Sequence, residues 1–394
     1  VKDNDEAREK LLELADSLLL HDRDIHVHCD DSVVRVHEER ELPVRRSRGY
    51  APFPVRLPVE VAPTLAVGGE LKATFCLAAG NDAFMSQHIG DMENLETLNA
   101  FESVVEQFTD MYSVRPERVA ADAHPAYQSS KWARAHHPHQ LVEVQHHHAH
   151  IAAVMAEHEL DPHGRVIGFA FDGTGYGDDG AIWGGELLVA DVDGYERAAH
   201  LEPVPLPGGD AAIRKPSRVA LAHLYASGIE WSRSLPPVSE TDPRELEQLR
   251  RQFDRGFATV PTTSMGRLFD AVSSLIGLRH EISFEAQAAI DLEFAATRAG
   301  PVDRGYRFEL DGDTIRSQPV VTLVVEDLLE GTDANVIARR FHEAVVDVMV
   351  RLAERERQDN GIRTVALSGG VFQNALLVSL ASEALENGGF TVLT

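Results

Sequence analysis

The chain has 394 residues, 43% of them hydrophobic, with 63 acidic against 37 basic side chains and a formal net charge of −26. That length and apolar content suit two or three globular domains and exclude a disordered chain. No apolar run approaches the ~20 residues that cross a bilayer, and two cysteines, Cys29 and Cys76, make neither a disulfide framework nor a Cys-rich zinc site. Only residues 2, 10, 72, 131 and 215 are lysine, so 32 of the basic residues are arginine. Such an acidic, lysine-poor surface disfavours sequence-independent nucleic-acid binding and suits a halophilic cytosol. The N-terminus, VKDNDEAREK, has no signal-peptide apolar core, and a reducing, cytoplasmic compartment is expected.

The first 58 residues read as a fragment. A helix is predicted from Glu6 to Leu20, strands around Val33, Val34 and Val36, and an extended linker through Pro52, Pro54 and Pro58. This piece is too short to bury a core and is expected to be the end of a preceding domain. From about residue 60, strands and helices alternate. TLAVGG and KATFCLA predict strands about a glycine pair. A helix at 93–112, the strand RVAAD, a helix at 126–136, the strand LVEVQ and a helix from His147 to His158 follow. RVIGFAFDGTGYGDDGAIWGGELLVADV repeats the grammar of strand, glycine-rich turn and strand. Helices are predicted near 217–226, 243–255, 264–277 and 285–298, a small β segment at 306–324, and a long helix at 334–357. The chain closes with VALSGG, a helix at 371–387 and the strand FTVLT, which is expected to be cut off at Thr394. Two blocks that each open on a glycine-interrupted hairpin imply a two-lobed α/β fold with a cleft between the lobes, divided 1–58, 59–163 and 164–394.

The sharpest chemical feature is QHHHAHI, residues 145–151. On a helix, His146 and His150 project from one face about 6 Å apart, a workable spacing for two imidazoles on one metal ion. His147 and His150, three apart, are the alternative pair, and a third ligand is expected to be a carboxylate or another histidine. In FAFDGTGYGDDGAIWGGE, an apolar strand ends at Asp172, which suits a metal or the orientation of a nucleophile. Gly173, Thr174 and Gly175 then let backbone N–H groups approach phosphate oxygens. LSGGVFQN places Gly369 and Gly370 at the start of a helix, where amides receive anions, with Asn374 set to bond a sugar or base. Lys72 of GELK lies beside the first glycine pair, and PGGDAAIRKPSR carries Gly209 and Asp210 in another glycine loop. Together these describe an ATP-binding cleft with a metal at its edge. ETDPRELEQLRRQFDR reads as a solvated helix face, and His136, His137 and His139 as a loop without ligand spacing.

GGELKATFCL, SQHIGDMEN, QHHHAHIAA, FDGTGYGDDGAIWGGE, PGGDAAIRKP, GRLFDAVSSLIGL, FEAQAAIDLE and LSGGVFQN, in that order, strongly resemble the HypF-type carbamoyltransferases of nickel–iron hydrogenase maturation. HDRDIHVHCDDSVVRV and RSRGYAP resemble the tail of that family's YrdC-like domain, and the rest its Kae1-like domain. The resemblance implies the two-lobed ASKHA (actin-like) fold. It also implies carbamoyl-adenylate, made from carbamoyl phosphate and ATP, as the donor, and the C-terminal cysteine of the partner HypE as the acceptor, with neither nucleic acid nor membrane as a partner. It assigns His146, His150 and Asp172 as ligands of a divalent metal (zinc, iron or magnesium) and as the catalytic centre. Lys72, Gly173, Thr174, Gly175, Gly209, Asp210, Gly369, Gly370 and Asn374 would line the adenylate, and Ser32, Arg35 and Arg48 would belong to the adenylation site. The family's next motif, a PNDGG-like segment with a further Asp ligand, would follow Thr394, and the acylphosphatase-like and zinc-finger segments would precede Val1. Without them the chain is expected to be inactive alone. FEAQAA has Ala286 where the family pattern has glycine. Related readings are an O-carbamoyltransferase acting on a small-molecule hydroxyl, a tRNA threonylcarbamoyl transferase and a non-catalytic nucleotide-binding scaffold. The acidic surface weighs against the tRNA enzyme.

Overall fold

A computed structural model describes residues 3–394 apart from 24, 26–28, 38, 39, 303 and 304. Asp3 caps the first helix, α1 (Asn4–Leu11), by accepting from the N–H groups of Asp5 and Glu6. The helix ends well short of the expected Leu20. Leu12, Leu14 and Leu19 are 59%, 82% and 103% exposed, and a short helix in water persists only where packing supports it. An antiparallel ribbon follows, β1 (Val33–His37) with β2 (Arg40–Arg45).

The first large unit is a four-stranded sheet. β3 (Pro54–Ala66) pairs antiparallel with β4 (Cys76–Met85). After α2 (Leu95–Tyr112), β5 (Arg118–Asp122) joins β3 in parallel; after α3 (Gln128–His136), β6 (Leu141–Val144) joins β5 in parallel. The expected proline linker is therefore strand from Pro54 onward. Pro54 and Pro58 are tolerated because β5 reaches only Thr64–Ala66, leaving the first half of β3 an edge. Phe101 and Phe108 of α2 pack edge-on against Phe75, with ring centroids 5.8 and 5.0 Å away.

From β6 the chain enters α4 (His146–Glu157), whose N-cap, Gln145, accepts from the N–H of His148. Ile151, Val154 and Met155 of α4 pack against Val166, Ala170, Leu188, Ala366 and Leu393, so this helix joins the first sheet to the second. A Cβ on Gly168 would lie 2.6 Å from Ile151, which is why the strand facing α4 carries glycine there.

The second sheet is built on an antiparallel meander, β7 (Val166–Tyr176), β8 (Ile182–Ala190) and β9 (Tyr195–Leu201). There follow β10 (Val204–Pro207), α5 (Asp210–Arg214), α6 (Pro216–Ala226), α7 (Pro236–Ser239), α8 (Pro243–Arg255), β11 (Thr259–Thr262), α9 (Met265–Leu275) and α10 (Gln287–Ala299). The chain continues through β12 (Glu309–Asp311), β13 (Thr314–Arg316), α11 (Gln318–Leu329) and α12 (Ala334–Asn360). It closes with β14 (Thr364–Ser368), a 3₁₀ turn at Gly370–Gln373, α13 (Ala375–Asn387) and β15 (Thr391–Leu393). The strand order is β12-β13-β9-β8-β7-β14-β15, with β11 paired to β8 and β10 to β11.

The two sheets share a topology. In each, the first strand of an antiparallel hairpin takes two parallel neighbours on its other side: β4-β3-β5-β6 in one, β8-β7-β14-β15 in the other. The architecture is α/β, with one lobe around each sheet, as the repeated hairpins implied.

Three expectations differ in detail. β7 does not end at Asp172; it continues to Tyr176 with a register shift between Phe171 and Gly175. Gly173–Gly175 are thus an irregular strand, and the reversal lies at Gly177–Ala181. The β segment expected to reach residue 324 ends at Arg316. QPVVTLVVEDLL is rich in β-branched residues, yet Val320, Val321, Val324 and Val325 share one buried helical face, and packing outweighs propensity. The last helix starts at Ala375 rather than 371, after the 3₁₀ turn. Cys29 and Cys76 are free thiols, and among the described residues no helix is long and apolar enough to cross a membrane.

Candidate functional site

The carboxyl ends of β3, β5, β6, β7 and β14 open toward one another, the usual ligand face of parallel α/β sheets. β6 runs straight into α4, so His146 stands at the first helical position, and His150 one turn later on the same face. Their rings lie 4.9 Å apart, centroid to centroid. Asp172, inside β7, meets both: its Oδ2 is 3.2 Å from His146 Nε2 and 3.5 Å from His150 Nε2. One donor atom from each of the three lies within 4.8 Å of the other two.

The other Asp172 oxygen, Oδ1, accepts from the N–H groups of Gly173 at 2.7 Å and Gly370 at 3.2 Å. A Cβ on Gly370 would come within 2.9 Å of this oxygen, so glycine lets that backbone reach the carboxylate. Gly369 has φ +105°, and a Cβ there would sit 2.3 Å from the Phe171 carbonyl. Gly370 thus holds the Asp172 carboxylate, and Gly369 lets the turn pack against the backbone of Phe171. The Ser264 hydroxyl, at the N-cap of α9, bonds the carbonyls of Asp172 and Gly173 at 2.7 and 2.8 Å.

Asp122, the last residue of β5, carries a part that the sequence reading did not assign. Its buried Oδ2 accepts from His146 Nδ1 at 2.6 Å, which aims His146 Nε2 at Asp172. A strand that ends in a lone carboxylate, RVAAD, was the available signal; only the pairing of β5 with β6 brings it to His146. His150 is oriented similarly, its Nδ1 3.2 Å from the Ser368 hydroxyl.

The electrostatics follow from burial and from these contacts. Burial alone would lower the His146 pKa, but Asp122 and Asp172 on either side raise it to about 10, so the ring is a cation held between two carboxylates. Burial would raise Asp172; hydrogen bonds from His146 and His150 overcome it and hold the carboxylate well below its usual range. His147 is different. It is fully buried and driven down to about 3 by burial and the His146 charge, and its Nε2 has no hydrogen-bond partner among the described residues. Of the two pairs open from spacing, His146 and His150 are the pair that converges on a carboxylate. Two imidazole nitrogens, a carboxylate oxygen and an outer carboxylate on His146 are a donor set that fits a divalent metal, which would take the place of the positive charge on His146.

The remaining expected residues divide. Gly173, Thr174 and Gly175 flank the triad, but as strand. A Cβ on Gly175 would lie 2.3 Å from His147 and 2.9 Å from His146, so this glycine makes room for the histidines rather than for a phosphate. Lys72 stands beside the Gly68–Gly69 turn with φ +52°, its Nζ 2.8 Å from Glu285. Gly209 begins α5 with φ +53°, and the Asp210 side chain lies outside the described residues. Asn374, expected at a sugar or base, is buried; its Oδ1 caps the N–H of Leu377 and its Nδ2 donates to His342.

The three residues expected at an adenylation site lie in and beside the N-terminal ribbon. Arg35 spends its guanidinium on both oxygens of Glu293, at 3.0 and 3.1 Å, and on the Gln373 carbonyl at 2.6 Å. Glu293 is buried and also receives the N–H of Ala375, so the anion expected at the start of α13 is supplied by the chain itself. Ser32 accepts from the Ser47 N–H and donates to the Arg48 carbonyl, and Arg48 donates to the Cys29 carbonyl. Ser32 and Arg48 form a separate network from the triad.

Comparison with known proteins gives two adjoining family matches. Residues 60–157 match the HypF Kae1-like domain, and residues 168–394 match the second subdomain of the carbamoyltransferase Kae1-like domain. The carbamoyltransferase HypF of Synechocystis sp. is 38% identical over 99% of the chain. A carbamoyltransferase HypF homolog of Cupriavidus necator is 35% identical, the match covering 84% of this chain and 86% of that protein. The crystal structure of a full-length HypF in its phosphate- and nucleotide-bound form superposes with a TM-score of 0.92 at 43% identity, covering 100% of this chain and 61% of the other. The chain spans about half the length of its full-length relatives, 52% for the Synechocystis protein.

Proposed function

The chain belongs to the HypF family of carbamoyltransferases, and we propose that it is the transfer part of a hydrogenase-maturation enzyme, passing a carbamoyl group from carbamoyl-adenylate to the C-terminal cysteine thiol of HypE. In this reading residues 1–58 are the end of a YrdC-like adenylation domain and its linker, 59–163 the first Kae1-like lobe and 164–394 the second. The nucleotide named for the full-length relative supports adenylate binding in the cleft. The observation that carries the proposal is the convergence of His146, His150 and Asp172, with Asp122 behind them, at the strand ends of both lobes.

Bound to that triad, a divalent ion supplies positive charge for the adenylate phosphate and the carbamoyl oxygen. The chain's own residues do the rest. Asp122 fixes the tautomer and direction of His146, Ser368 those of His150, and the N–H groups of Gly173 and Gly370 fix Asp172. Gly173–Gly175 and Gly369–Gly370 bring backbone close to the triad, with Lys72 released from Glu285 to face phosphate. Gly209, Asp210 and Asn374 complete the adenylate wall, and Ser32, Arg35 and Arg48 belong to the adenylation site.

The test uses the intact protein with carbamoyl phosphate, ATP and HypE. Pyrophosphate release and a carbamoylated HypE cysteine are expected; His146→Ala is expected to keep the first and lose the second. Absence of the carbamoylated cysteine with the wild-type protein rejects the reading. Carbamoylation of a small-molecule hydroxyl or of tRNA in its place assigns one of the related reactions.

A further inference from the structure

Asp122 ends β5, and the loop that follows it to α3, AHPAY at 123–127, has no role assigned so far. It is rigidly tied to the triad. Asp122 Oδ2 grips His146, and its Oδ1 accepts from the His124 N–H at 2.8 Å. At the far end the Gln128 N–H donates to buried Glu70, and the hydroxyls of Ser129 and Ser130 donate to the carbonyls of Gly68 and Asp122.

Held this way, the His124 ring stacks on Tyr127, with centroids 3.9 Å apart and planes 12° apart, and meets Tyr176 of β7 edge-on at 5.2 Å. His124 Nδ1 accepts from the Ala126 N–H at 3.2 Å. The neutral ring therefore carries its proton on Nε2. Neither that Nε2 nor the Tyr127 hydroxyl has a hydrogen-bond partner among the described residues. Burial, followed by the charges of Asp122, Asp172 and Glu70, pushes the Tyr127 phenol upward, which places it within the field of the triad.

Resting on the carbamoyl-transfer reading above, we propose that His124 Nε2–H and Tyr127 O–H are a pair of donors for the carbamoyl oxygen, an oxyanion site supplied by the β5–α3 loop. In the step they serve, the acceptor thiol first loses its proton to solvent. The thiolate pair then forms the S–C bond while the C=O π pair moves onto oxygen, and that oxygen receives both hydrogen bonds. When the π pair returns, the bond from carbon to the phosphate oxygen breaks and AMP leaves with its electrons. Two fixed neutral donors favour this charge distribution over that of the planar carbonyl, so they act on the rate of the step. His124 and Tyr127 are thereby catalytic residues rather than parts of the metal centre.

The experiment supplies preformed carbamoyl-adenylate and a peptide ending in cysteine to the metal-loaded intact protein, and measures AMP release. Tyr127→Phe keeps the ring stack and removes only the hydroxyl. The expected result is a fall of about 10²-fold in kcat, the usual loss for one such donor, with KM, the Kd for AMP and the melting temperature unchanged. His124→Gln, which keeps an N–H donor on a displaced atom, is expected to fall by a smaller factor in kcat alone. A Tyr127→Phe enzyme within threefold of wild type, or one changed only in KM, overturns the donor assignment while leaving the transfer reading intact. No AMP release by the wild type overturns both.

Discussion

Asp122→Asn isolates the contribution of the carboxylate behind His146. The substitution keeps the size and one acceptor oxygen but removes the charge from a side chain that is only 7% exposed and bonded to His146 Nδ1 at 2.6 Å. Two effects follow. In the metal-free protein the His146 cation loses one of two flanking carboxylates, a charge-assisted hydrogen bond worth about 1.5–3 kcal/mol. In the metal-bound protein the ring loses the partner that fixes its direction, a loss that typically lowers metal affinity by about 10–100-fold, or about 1.4–2.7 kcal/mol. The Nδ1 side of the ring still meets the Asn oxygen, so the loss is graded rather than complete. Competition between the protein and a chromophoric chelator for Zn²⁺ measures it, beside Asp172→Asn, which removes a donor of the triad itself and is expected to cost more. If Asp122→Asn holds Zn²⁺ within twofold of wild type, the argument that Asp122 orients His146 for a metal is wrong.

Two predictions concern the fold. Ala286 has φ +61°, so Ala286→Gly relieves a left-handed side chain at a cost of about 1–2 kcal/mol, offset by the extra freedom of glycine when unfolded. A net gain of about 0.5–1 kcal/mol in urea unfolding is expected, and a loss refutes the strain. Burial drives His342 down to about 4, and the ring is fully enclosed, bonded to Asn374 and the Ala338 carbonyl. Between that value and the ordinary 6.5, the unfolded chain binds a proton that the folded chain refuses, so stability rises with pH across this window and levels off above it. At pH 5 the penalty is about 2 kcal/mol relative to pH 7. His342→Gln is expected to shrink the pH 7 to pH 5 loss by that amount; an unchanged loss refutes it.

The repeated hairpins, the α/β alternation and the helical face of His146 and His150 were all readable along the chain, because each rests on spacing within one element. The identity of the family was readable too, since its motifs are short and keep their order. What failed were the readings that needed neighbours. Leu12 to Leu19 have helical spacing without a surface to cover, and the valines of 320–325 have strand propensity with a helical surface waiting for them. Other contacts could be seen only in the fold: the Asn374 side chain meets His342 and the N–H of Leu377, and Arg35 meets the Gln373 carbonyl.

By itself, then, the sequence determined the fold class, the family and the run of histidines on which the site is built. Only the tertiary structure decided that His146 and His150, rather than His147 and His150, face a carboxylate. It alone brought Asp122 and the DAHPAY loop to that point, and it turned Gly370 of LSGG toward Asp172. The reason is that periodicity specifies which side of an element is apolar, whereas a site is made where the ends of β5, β6, β7 and β14 meet. These ends lie as many as 246 positions apart in the chain, from Asp122 to Ser368, and only the pairing of strands and the docking of α4 bring them into contact.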